Sequence, residues 1–314
     1  SAIFEYPDIE QLAAFITITE KNVFTPLVKM NPKGNNTPIF LLHPGDGQIF
    51  CYNDLVKSFD KNQPFYGLQA YGIEKNTTPL DSIEKMVSKY IEFIFSVQPV
   101  GPYRIVGFCG IGGSLVYETA QQLVRTGEQV DFTVIIDAKA PCCFLHSSGA
   151  IEIFISFITD FEALHGINLL SAYYEANGIK INNDNILEIF KYTEGLSEEQ
   201  RLNLLLESAQ KLGILSKKVE QEYLNRVYQI YKKSVLALQN YKPSYYDGRL
   251  ILLRAVENEN NDPVLQGELT NNSAFGWDQY CTEIQVYDMP GKHSTMLRPP
   301  HVKALAEKIS QLCE

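Results

Sequence analysis

Apolar residues fall into short dense runs that alternate with stretches of helical periodicity. The runs Pro38–His43, Phe65–Ala70, Tyr103–Phe108, Phe132–Asp137, Leu250–Ala255 and Glu283–Tyr287 predict strands. Most are almost continuously apolar, as expected for strands covered on both faces of a mainly parallel sheet. Ile83, Met86, Val87, Tyr90, Ile91 and Ile94 repeat at helical spacing and give one stripe to pack on that sheet. Gly112–Thr126 reads as a helix stopped by Gly127, and His301–Cys313 as a last helix begun just after Pro299-Pro300. Strands alternating with helices predict a doubly wound α/β sheet.

The alternation breaks between about residues 145 and 245, where helical patterns replace strand patterns. Ser197-Glu-Glu-Gln200 is a capping-box signature ahead of an apolar helix. Tyr223, Val227, Ile230, Tyr231, Val235 and Leu238 form a second stripe. An insertion this long is expected to act as a helical lid over a site. Its aromatic residues Phe154, Phe157, Phe161, Tyr173 and Tyr174 fit either an apolar pocket or the lid's own core. Thr17–Thr37, polar and holding proline, reads as a linker behind a short amphipathic segment, Ile3–Ile16.

Composition narrows the function. Lys and Arg total 27 against 37 Asp and Glu, a net charge of −10, and no basic patch offers a surface for nucleic acid. No apolar stretch approaches the length of a membrane span, and the first residues lack a signal-peptide pattern. The six cysteines form neither CxxC pairs nor Cys/His clusters, which predicts a reduced cytosolic protein with no bound metal.

Chemistry concentrates at Val106-Gly-Phe-Cys-Gly-Ile-Gly-Gly113, where an apolar strand enters a glycine-rich turn and then a helix. A nucleophile on such an elbow stands above the sheet edge, and the helix N-terminus favours a thiolate at Cys109. The segment lacks the Lys and spacing of a phosphate-binding loop. Among five histidines, His293 follows the last strand in the loop Met289–Leu297 and is the expected base. His43 ends the first strand run, His146 and His165 belong to or border the insertion, and His301 opens the last helix as a surface or capping residue. Asp137 ends the strand after the elbow helix and is the expected acid, with Glu257 after the next strand as its alternative. The order Cys109, Asp137, His293 is that of the α/β-hydrolases. Backbone N–H groups of Gly110 and of Gly45, in His43-Pro-Gly-Asp-Gly47, are the expected oxyanion donors.

Together these stretches resemble the terminal thioesterase domains of nonribosomal peptide and polyketide synthases. The resemblance rests on Leu41–Gly47 with Tyr52, Gly101–Cys109, Gly112–Glu118, Val134–Asp137, Gly276-Trp277, Pro290–His293 and Met296-Leu297, and covers about residues 35–314. It implies an α/β-hydrolase fold over residues 37–314, with a lid at about 145–245. It also implies that residues 1–16 are the last helix of a carrier domain and 17–36 a linker. The implied partner is an upstream carrier, whose phosphopantetheine arm delivers an acyl chain for hydrolysis or cyclisation; no cofactor is bound by the domain itself. The family acid follows the strand after the elbow helix, which favours Asp137. Two features depart from the pattern: Cys stands for the usual Ser, as in some members, and the elbow is one residue longer. Counted from Gly101 the nucleophile slot falls on Cys109, and counted back from Glu118 it falls on Gly110. The second placement implies an acyl- or carrier-binding domain without turnover. A free-standing editing thioesterase and a general esterase are the other readings of the same triad.

Overall fold

The computed structural model describes residues 25–31, 34–75, 77–143, 150–179, 189, 192–257 and 274–313. Residues 1–24, which include the segment expected to be a carrier remnant, and His146 lie outside them.

Seven strands form one sheet: β1 (Leu27–Asn31), β2 (Ile39–Leu42), β3 (Phe65–Leu68), β4 (Tyr103–Phe108), β5 (Val130–Ile136), β6 (Tyr246–Ala255) and β7 (Cys281–Met289). Their order is β1-β3-β2-β4-β5-β6-β7. All neighbours are parallel except β1 and β3. The six strand runs read from sequence all form strands, and the ends of β6 and β7 extend beyond the apolar stretch. Each extension sets buried end residues, Tyr246, Cys281 or Met289, beside exposed ones, Asp247, Thr282 or Asp288, the pattern of a sheet margin.

β1 corrects the linker expectation. Leu27–Asn31 pairs antiparallel with β3, and buries Val28 and Met30 while Lys29 faces outward. An edge strand covered on one face shows only this short alternation. In the sequence it is hidden by the polar residues around it.

The helices are α1 (Asn53–Lys57), α2 (Ile83–Val97), α3 (Cys109–Arg125), α4 (Ala150–His165), α5 (Leu169–Ala176), α6 (Glu198–Lys211), α7 (Gln221–Asn240) and α8 (Val302–Leu312). α2 and α3 bury one face of the sheet, through Ile83, Val87, Tyr90, Leu115 and Leu123. α1 and α8 bury the other, through Leu55, Val302, Leu305 and Ile309. Both faces of the central strands are thus dry, which is why β2 is apolar at every position.

Four described helices, α4 to α7, occupy the stretch between β5 and β6 and hold a separate apolar core. Phe154, Phe157, Phe161, Tyr173 and Tyr174 are buried in it, so they are packing of the insertion rather than pocket lining. Ser197 caps α6 by accepting the Gln200 N–H at 3.2 Å, and the Gln200 side chain accepts the Ser197 N–H at 2.8 Å. Among the described residues no single helix is long and apolar enough to cross a membrane.

Ser197→Ala removes one half of this reciprocal cap. It is expected to cost about 1 kcal/mol, read as a lower urea midpoint. Loss of amide protection should be confined to α6 and its contacts.

Candidate active site

β4 runs straight into α3 with no loop between them. The turn is made by Cys109, whose φ of 66° lies in the left-handed region. That conformation costs a non-glycine residue on the order of 1–3 kcal/mol. The sharp reversal brings the helix back against the strand, so a Cβ on Gly107 would run into the Gly112 carbonyl oxygen. The strained position is therefore Cys109, while Gly110 lies within the first turn of α3. The additional glycine is taken up inside the helix, where Gly112 faces the carbonyl of His43 at the end of β2.

Tyr52 braces this elbow. Its buried hydroxyl accepts the Phe108 N–H at 2.8 Å and donates to the Leu42 carbonyl at 2.7 Å. One side chain thus fixes the end of β4 relative to the end of β2. Sequence reasoning placed Tyr52 in a motif but gave it no role, because a hydroxyl reaching two strand ends has no local signature.

Asp137 follows β5 with a φ of 45° and is nearly buried. Its Oδ2 lies 2.7 Å from Nδ1 of His293, and its Oδ1 accepts the Ala255 N–H at 2.8 Å. Both carboxylate oxygens are occupied, so the acid has a fixed orientation. Glu257, the alternative acid, instead accepts the Gly291 N–H at 3.0 Å, and its own N–H reaches the Gly291 carbonyl. It ties down the loop that carries His293 rather than contacting the imidazole.

The His293 ring stacks on Phe108 at 4.6 Å and is about a quarter exposed. Burial opposes its charge, but hydrogen bonds to Asp137 and Cys109, with the charges of both, hold its pKa well above 6.5. Nδ1 is committed to Asp137, which leaves Nε2 to serve Cys109. The imidazole therefore bridges a carboxylate and a thiol, as acyl transfer through sulfur requires.

The other described histidines do different work. His43 is buried, with its ring nitrogens near the Pro44 carbonyl and the Tyr90 hydroxyl; burial pushes its pKa down to about 4. His165 meets Asp46 at 3.0 Å. His301 is the N-cap residue of α8 and packs beside Gly291.

A cleft opens over Cys109 and His293. Phe108, Leu164, Leu297 and Cys51 give it apolar walls, and Asp160 and Arg298 contribute the charged groups. Cys51 is no rival nucleophile: burial and the charge of Asp46 push its pKa well above 9.0. Gly45 lies beside Ile111 in the first turn of α3, which brings the predicted oxyanion loop to the elbow. Among the described residues no group of three or more His, Cys, Asp or Glu could hold a metal ion.

Two substitutions test this construction. Tyr52→Phe leaves a buried N–H and a buried carbonyl without their hydroxyl partner, at about 1–3 kcal/mol of stability, measured by urea unfolding. Asp137→Asn removes the charge that offsets burial, so the His293 pKa should fall; NMR titration of ¹³C-labelled histidine reads this directly. The raised pKa also stabilises the wild-type fold fully below pH 6.5, and this contribution is lost as pH climbs through the higher folded value. Asp137→Asn should flatten that decline.

Comparison with known proteins agrees with the geometry. A family model described as a thioesterase domain matches residues 37–172. A dimodular nonribosomal peptide synthase of Bacillus subtilis is 28% identical over 99% of this chain and 12% of its own length. An inactive atromentin synthetase of Paxillus involutus is 38% identical over 43% of this chain and 15% of its own. The chain therefore spans roughly an eighth of the length of these relatives. Among solved structures, the four-domain nonribosomal peptide synthetase AB3403 superposes with a TM-score of 0.77 at 25% identity, over 99% of this chain and 22% of that one. Residues 37–172 thus match a thioesterase domain, and the whole chain is similar in fold and sequence to parts of nonribosomal peptide synthetases.

Proposed function

We propose that the chain releases an acyl chain from a carrier-bound thioester through a Cys109–His293–Asp137 triad. The observation that carries this reading is the cysteine at the left-handed elbow, hydrogen-bonded to a histidine that is itself held by a buried carboxylate. The acyl chain arrives on the phosphopantetheine arm of an upstream carrier domain in a longer cytosolic synthetase. The resemblance of the whole chain to parts of multidomain synthetases supports that partner.

His293 takes the Cys109 proton, and the thiolate attacks the thioester carbonyl. The backbone N–H groups of Gly110 and Gly45 receive the developing oxyanion. The tetrahedral intermediate collapses by breaking the bond to the pantetheine sulfur, which leaves with the proton from His293. Water, or a hydroxyl or amine of the chain itself, then attacks the acyl-cysteine with His293 as base. The product is an acid in the first case and a ring in the second, and Cys109 is regenerated.

Cysteine suits the second outcome. Transfer from one thiol to another is close to isoenergetic, whereas transfer to serine yields a more stable ester. An acyl-cysteine thus retains driving force for closing a strained ring or an amide. An internal nucleophile held in place gains an effective molarity of up to about 10⁵–10⁸ M, enough to outcompete water.

Intact mass after incubation with short acyl thioesters tests the reading. An acyl adduct is expected on the wild type and absent from Cys109→Ala. Binding of several acyl thioesters without adduct or turnover would instead mark a non-catalytic acyl-binding domain, and preference for simple p-nitrophenyl esters a general esterase. Cys109→Ser should shift the outcome toward a persistent ester or toward hydrolysis; unchanged product ratios and rates would refute the role given to sulfur.

A further inference from the structure

The turn His43–Gly47 after β2 carries Gly45 and is seated directly on the inserted helices. A Cβ on Gly45 would lie 2.8 Å from the Tyr231 ring, and one on Gly47 would lie 2.8 Å from Ile230. Two adjacent residues of α7 thus press on bare backbone either side of Asp46. The Tyr231 hydroxyl in turn donates to Asp160 of α4 at 2.6 Å, and Asp160 faces the cleft.

Asp46 itself is almost fully buried. Its Oδ1 accepts the Gln48 N–H at 3.0 Å, and its Oδ2 lies 3.2 Å from the Gln48 amide nitrogen and 3.0 Å from Nε2 of His165. Gln48, also buried, accepts the Tyr223 hydroxyl of α7 at 2.7 Å. His165 is the last residue of α4, and its ring packs on Phe161 of the insertion's core. The carboxylate therefore joins the turn to α4 directly and to α7 through Gln48.

Apolar packing alone would seat the helices, as Ile230 on Gly47 shows. A carboxylate at this junction must be desolvated, which costs several kcal/mol unless donors surround it. What it adds is direction: hydrogen bonds fix register where apolar contacts slide. The expense is placed one residue after Gly45, where register decides whether an N–H points at the reacting carbonyl.

We infer that Asp46 and His165 are a positioning pair that locks the Gly45 N–H in register with helix α4, so that seating the lid and completing the oxyanion hole are one event. The inference rests on the reading of Gly45 as an oxyanion donor in the proposed reaction. An acyl chain that holds the lid in place thereby completes the machinery that cleaves its own thioester. A displaced lid leaves Cys109 competent but its transition state unsupported.

The test uses the whole chain with His165→Ala and His165→Gln, whose amide can still donate to Asp46. Hydrogen exchange of the peptide covering residues 43–49 should quicken in the alanine variant and return toward wild type in the glutamine variant, while β4 keeps its protection. With an acyl thioester, kcat should fall about 10- to 100-fold in His165→Ala, short of the ~10²–10³ for outright loss of a donor. KM and the alkylation rate of Cys109 by iodoacetamide should hold, and His165→Gln should recover most of kcat. Wild-type exchange at 43–49 in His165→Ala overturns the inference, and so does quickened exchange with kcat intact. Equal loss in both variants, or a parallel loss of Cys109 alkylation, also overturns it by marking His165 as simple packing. Exchange is read without turnover, so a wild type that processes no thioester defeats the proposed function while exchange still decides whether the turn is locked to the lid.

Discussion

The left-handed backbone at Cys109 is the constraint on which the site depends. A strand that turned into its helix by a relaxed loop would leave the thiol facing sideways, away from the end of the sheet. The reversal is unfavourable for a residue with a side chain, so the surroundings must over-determine it. Gly107 lets the helix come back against the strand, and the Tyr52 hydroxyl joins the strand end to its neighbour β2. Parallel pairing of β4 with both β2 and β5 makes the platform rigid. Cys109 is thus held by a lattice of backbone contacts rather than by its own conformational preference.

The same logic extends to Asp137 and His293. Asp137 also adopts a positive φ, at the end of the strand beside β4. Its carboxylate is gripped by Ala255 from the next strand and by His293 from the loop after β7. Each member therefore comes from a different strand end, and the sheet order alone brings them together. Glu257 contributes from one step further out by pinning the backbone at Gly291. Electrostatics then follow from geometry: the carboxylate of Asp137 and the sulfur of Cys109 favour the charged form of the imidazole between them despite burial.

The inserted helices complete the opposite side. Their aromatic residues make a core of their own, so the insertion is a folded unit resting on the sheet end rather than a loose flap. The cleft takes its apolar walls from residues that belong to both parts: Phe108 from the strand end, Leu164 from α4, Leu297 from the histidine loop. Polar groups cross the junction at Asp46 and Gln48. The cleft and the insertion are in this way built on shared contacts.

The amino-acid sequence by itself determined the sheet strands with dry faces, the helical insertion, the capping box at Ser197 and a short set of reactive candidates behind the strands, Cys109, Asp137 or Glu257, and His293. Each of these leaves a local trace: a dense apolar run, a helical repeat, a reciprocal polar pair, or a reactive residue just past a strand. Only the tertiary structure decided what depends on distant partners. The edge strand at Leu27–Asn31 looks like a linker until β3 lies beside it, because only two of its five residues, Val28 and Met30, are buried. Two counts along the chain put the nucleophile slot on Cys109 or on Gly110, and backbone geometry gives the left-handed turn to Cys109, since the close approach of Gly107 and Gly112 sets where the chain reverses. Asp137 and Glu257 are alike as carboxylates behind strands; the resemblance favours Asp137, and the loop path after β7 puts Asp137 against His293 and Glu257 against Gly291. Tyr52 and the pair Asp46–His165 act through bonds spanning 56 and 119 positions, and no periodicity in a one-dimensional chain encodes a hydrogen bond between segments that meet only after folding.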